Sequence, residues 1–82
     1  DDLRNPARAL ELATRNAAFE QENPSVLGTL AAALAANGRF DEAVARLEQA
    51  IALAEAKQET GVLANMRERL AAYRAGRTWL EP

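Results

Sequence analysis

Apolar side chains recur at steps of three and four along most of this chain, and the recurrence changes phase in a few places. Leu27, Leu30 and Leu34 step along one face of a helix, and Ala31, Ala35 and Ala36 widen that face with small side chains. Ala43, Leu47, Ala50 and Ala54 make a second stripe, flanked by Val44 and Ile51. Between them lies Asn37-Gly38-Arg39-Phe40-Asp41-Glu42. Gly38 is expected to take a positive φ that ends the first of these helices. Asp41 is expected to cap the next, with Glu42 favourable to its dipole. A tight turn between two such stripes makes them antiparallel neighbours.

The same pattern extends outward. Leu10, Ala13 and Ala17 lie on one helical face, preceded by Asn5-Pro6, and Asn23-Pro24 repeats that cap-then-proline signal. Leu63, Met66, Leu70 and Tyr73 form a fourth stripe. A single helix from residue 41 to 75 would put Gln58, Asn65 and Arg69 on the buried face, so the phase calls for a break near residues 58–60, with Gly61 as a modest breaker. The expected helices are 6–19, 24–37, 41–57 and 60–75, followed by a tail, 76–82, that carries Trp79. Nothing reads as a strand. The fold class is therefore all-α, a stack of antiparallel helical hairpins in a single domain, 1–82.

Composition bounds the function. At 82 residues the chain can bury only about 60% of the surface its unfolded form exposes, so its stability is marginal without neighbours. It has no cysteine and no histidine, which removes thiolate chemistry, zinc-cysteine sites and the commonest general base. The net charge of −2 lacks the basic face of a nucleic-acid binder. Arg67, Arg69, Arg74 and Arg77 do make the C-terminal end basic, and read as a solvated face with cations favoured at a helix C-terminus. The pairs Asp41 with Glu42 and Glu55 with Glu59 read as first-turn charges and a solvated face, not as acid–base couples. The expectation is no enzyme, no cofactor and no metal. No apolar run is long enough to span a membrane, and no signal peptide is visible, which leaves cytoplasm or periplasm open. The chain begins at Asp1, not Met, so further chain upstream is expected. The Ala- and Arg-rich composition reads as bacterial.

A shift of 34 residues lays Ala9 on Ala43, Leu10 on Val44 and Ala17 on Ile51; a shift of 36 lays Leu27 on Leu63, Leu30 on Met66 and Leu34 on Leu70. Such a helix-turn-helix repeat resembles the tetratricopeptide repeat. The likeness is carried by Leu30, Leu34, Gly38, Phe40, Ala43, Leu47 and Ala50, and the run GRFDEA is similar to bacterial members. Leu27 stands where the family favours Trp, Ala31 where it favours Gly, Leu34 where it favours Tyr and Glu55 where it favours Pro. The resemblance implies a short solenoid that binds a protein or peptide partner on a concave face. That face would be lined by Gly28, Thr29, Ala32, Ala35 and Ala36, and by Ala64, Asn65, Glu68 and Ala72, with Trp79 as a further anchor or as a cap over Leu70 and Tyr73. Members that clamp a peptide carboxylate carry Lys, Arg and Asn at matching positions; only Asn65 fits, so that clamp is not expected. The resemblance also makes the first helix the second half of a repeat, leaving a face around Ala9, Ala13 and Asn16 for self-association. The alternative function is accordingly a self-association or capping module of a larger protein.

Overall fold

Two Asn-Pro pairs start the first two helices as their chemistry requires. In the computed structural model, which describes residues 5–78, α1 spans Pro6–Phe19 and α2 spans Pro24–Ala36. Asn5 Oδ1 accepts from the backbone N–H groups of Ala7 at 3.1 Å and Arg8 at 3.2 Å, and Asn23 Oδ1 accepts from that of Ser25 at 3.0 Å. Each asparagine satisfies donors that a first helical turn leaves unpaired, and the proline beside it has no N–H to lose. α3 spans Phe40–Ala56, a single 3-10 turn covers Thr60–Val62, and α4 spans Leu63–Arg74. No strand occurs among the described residues. The protein is all-α, a stack of helical hairpins.

α3 begins one residue before the expected Asp41 cap. Arg39 holds the cap position and no side chain caps the helix. The Arg39 guanidinium instead forks onto Glu42, with Nε and Nη2 donating to its two carboxylate oxygens at 2.8 Å each. Asp41 and Glu42 both lie inside the first turn, where the helix dipole favours negative charge without a direct cap.

Three helices end in the same way. After α2, the Gly38 N–H donates to Ala35 O and the Arg39 N–H to Leu34 O, both at 2.9 Å. After α3, Gln58 donates to Glu55 O at 3.1 Å and Glu59 to Ala54 O at 2.9 Å. After α4, Gly76 donates to Tyr73 O at 3.0 Å and Arg77 to Ala72 O at 2.9 Å. This paired closure uses one residue in the left-handed region, and φ there is 75° at Gly38, 72° at Gly76 and 59° at Gln58. The break between α3 and α4 thus turns on Gln58; Gly61 is inside the 3-10 turn and has no positive φ. A Cβ on Gly38 would meet no atom within 4 Å, so Gly38→Ala is disfavoured by conformation alone, at about 1 kcal/mol. Gln58→Gly is expected to do the reverse and raise the melting temperature. Thermal unfolding of the two variants checks the pair of opposite shifts.

α2 is the centre of the stack. It packs on α1 and on α3, and α3 packs in turn on α4. Leu27, Gly28, Leu30, Ala31, Ala33, Leu34 and Ala35 of α2 are all buried, so this helix is apolar almost all round. The α3 stripe Ala43, Leu47, Ala50 and Ala54 has no exposed surface at all. α4 adds Leu63, Met66, Ala72 and Tyr73 to the same core, and α1 adds Ala13 and Ala17. Asn37 Nδ2 ties the end of α2 to the start of α1 through Pro6 O at 2.9 Å, and Lys57 Nζ ties the end of α3 to the α1–α2 turn through Glu22 O at 2.7 Å. These contacts fix neighbouring helices antiparallel. Arg67 pairs with Glu55 at 3.1 Å and Arg74 with Glu48 at 2.7 Å across α3 and α4. All four side chains are more than half exposed, so each pair contributes at most about 1 kcal/mol.

Candidate interaction groove

α2 and α4 both pack on α3, and a groove opens between them. Ser25, Gly28 and Thr29 of α2 form one wall; Asn65, Met66 and Arg69 of α4 form the other, with Gly61 and Val62 at one end. The floor follows from residue size. A Cβ added to Gly28 would sit 3.8 Å from Met66 Cε, an ordinary contact distance, so Gly28 faces the methionine with room for one small side chain. A notch lined by Ala13, Asn16, Ser25, Val26 and Thr29 shares Ser25 and Thr29 with the groove and extends it toward α1. The Thr29 hydroxyl donates to Ser25 O at 3.0 Å.

The groove offers hydroxyl and amide partners, one guanidinium and no carboxylate. At about 290 Å³ and open to solvent, it is an open groove and not an enclosed cavity. Among the described residues no group of His, Cys, Asp or Glu could hold a metal ion, and no helix is long and apolar enough to cross a membrane.

Of the residues expected to line a concave face, Gly28, Thr29 and Asn65 come together here. Ala32, Ala36 and Glu68 do not line the groove; Ala32 is half-buried, and Ala36 and Glu68 are exposed. Ala35 is 2% exposed and presents no surface to a partner: its small side chain serves helix packing. Gly28 is buried too. On α4, Ala64 is exposed and Ala72 buried. Trp79 lies outside the described residues. Sequence reasoning missed Ser25, Val62, Met66 and Arg69. Helical spacing could have found Ser25, Val62 and Arg69, which stand three or four residues from Thr29 or Asn65 on the same faces; Met66, next to Asn65, reads as core.

Below the groove, Tyr73 is 3% exposed, one turn beyond Arg69. Burial raises its pKa above the usual 10.0, and the nearby Arg69 charge opposes that in part. The unfolded phenol therefore ionises first. Stability contributed by the neutral buried phenol is complete below pH 10.0 and is lost as pH rises through the folded value. Tyr73 is the only tyrosine, so its phenolate absorbance is a direct readout. The expected titration midpoint lies above 10.0 in the folded protein and moves down when the chain is denatured.

Comparison with family models, with curated proteins and with solved structures finds no match to this chain. The functional reading accordingly rests on fold and surface.

Proposed function

We propose that this chain is a protein–protein interaction module of the tetratricopeptide kind, which holds a peptide or helical segment of a partner in the α2–α4 groove. The observation that carries the reading is the groove itself: two helices of matching role, both seated on α3, face each other across Gly28 and Met66 with a polar rim that carries one cation, Arg69. Small residues on one wall let a segment approach closely, and Ser25, Thr29 and Asn65 supply hydrogen bonds that set its register. Self-association is the second reading. It is favoured by α1, where Leu12 is 42% exposed and Phe19 91% exposed, one helical face apart by seven residues.

Selection from a random peptide display library tests the first reading. Thr29 is exposed, so Thr29→Arg should leave the melting temperature almost unchanged while filling the groove. Peptides selected on the wild-type chain should lose roughly tenfold or more in affinity for this variant. Peptides that bind both forms equally would place the binding surface elsewhere and contradict the proposal.

A further inference from the structure

The joint between α3 and α4 differs from the other two turns. Pro24 stiffens the entry to α2, and Gly38 supplies the positive φ after it at no steric cost. The α3–α4 joint, residues 57–62, has no proline, and the residue held at positive φ is Gln58. Every other part of the joint is already close to helical. Lys57 is in the right-handed helical region, Thr60–Val62 form a 3-10 turn, and Val62 and Leu63 are right-handed helical again. Only Gln58, at φ 59°, and Glu59, at φ −86° and ψ 67°, stand outside the helical region. Rotation of two residues would therefore fuse α3 and α4 into one helix.

We propose that this joint is a hinge through which two copies of the chain exchange α4. A continuous helix over residues 40–74 would be about 50 Å long at 1.5 Å per residue. The folded molecule is 36 Å in its longest dimension. Fusion thus carries α4 off its own α3 and strips the cover from Leu63, Met66 and Tyr73, which are 9%, 6% and 3% exposed in the closed form. A second copy opened in the same way offers the same seat on its α2 and α3. Exchange restores every α4 contact, including the Arg67–Glu55 and Arg74–Glu48 pairs, and relieves the left-handed Gln58 in both copies. Each groove then takes Ser25, Gly28 and Thr29 from one copy and Asn65, Met66 and Arg69 from the other, so the dimer carries two identical sites. The inference is independent of what the groove binds.

Refolding from denaturant at micromolar and at millimolar chain concentration, followed by sedimentation, tests it. The expected result is a dimer formed at high concentration that dissociates slowly on dilution. Gln58→Gly removes the strain that exchange relieves and adds a residue that disfavours a continuous helix. It should weaken dimerisation by roughly tenfold at each hinge, about a hundredfold per dimer. Gly61→Ala, whose Cβ meets nothing within 4 Å, should strengthen it. The chain has no cysteine, so a Glu48→Cys, Arg74→Cys double variant gives a clean crosslink between the helices that Arg74 and Glu48 now join at 2.7 Å. A short thiol crosslinker should join one chain to itself in the monomer and two chains together in the exchanged dimer. A chain that stays monomeric after refolding at millimolar concentration, a dimer whose crosslinks stay within one chain, or a dimer indifferent to Gln58→Gly would each overturn the proposal.

Discussion

Leu47→Ala is expected to destabilise the domain by about 2–5 kcal/mol, the largest effect of any single truncation. Leu47 is the largest side chain with no exposed surface, and it sits midway along α3 where that helix faces α2. Truncation removes the transfer energy of the buried carbons and leaves a cavity that two close-packed helices cannot collapse into. A chain of this length has roughly 4–12 kcal/mol of stability in total, so a loss of this size moves a large share of molecules to the unfolded state. Leu12→Ala on the 42%-exposed flank of α1 should cost far less. Chemical denaturation of both variants measures the contrast; equal losses would mean that the α3 stripe is not the core.

Enlarging the same seam should also be costly. Ala43 is fully buried in the first turn of α3, and Ala31 of α2 is fully buried as well. Ala43→Leu adds three carbons at a position with no exposed surface, at an expected cost of about 1–3 kcal/mol through displaced helices and off-rotamer side chains. Ala45→Leu, two residues on and exposed, makes the same chemical change without the crowding and should be nearly neutral. A fall in melting temperature for Ala43→Leu alone would show that alanine here is a packing requirement, beyond its helix propensity.

Much of this fold was legible in the sequence because its signals are local. Asn5-Pro6 and Asn23-Pro24 mark helix starts through side-chain caps and a missing donor, and the caps form as read. Gly38 takes the left-handed conformation that few other residues tolerate. The stripes at 27, 30 and 34 and at 43, 47, 50 and 54 are buried because period and packing agree. What escaped depended on choices between near-equal local energies. Arg39 caps nothing and pairs with Glu42, which moves the start of α3 ahead of Asp41. The break near residues 58–60 was legible in the phase, but not that Gln58 would be the left-handed residue, set by the hydrogen bonds of Gln58 N–H to Glu55 O and of Glu59 N–H to Ala54 O.

The site was only half legible, and for a different reason. An alanine on a helix face reads the same whether it lines a groove or seats another helix. Ala35 lies in the core, while Ala36, its neighbour in sequence, is exposed. The difference lies in how α1, α3 and α4 surround α2, which periodicity within α2 does not encode. Gly28, Thr29 and Asn65 were found because the tetratricopeptide resemblance puts them on the inner face of α2 and α4. Ser25 and Arg69 blended into end-of-helix polarity, and Met66 into the core.

The proposal stands or falls on where a bound segment sits. The direct measurement is backbone amide chemical-shift mapping of the chain, titrated with a peptide selected on it. The account predicts that the largest shifts fall on Ser25, Gly28 and Thr29 of α2 and on Asn65, Met66 and Arg69 of α4, with Leu12 and Phe19 of α1 unmoved. Shifts centred on Leu12 and Phe19, with the α2–α4 groove silent, would contradict it.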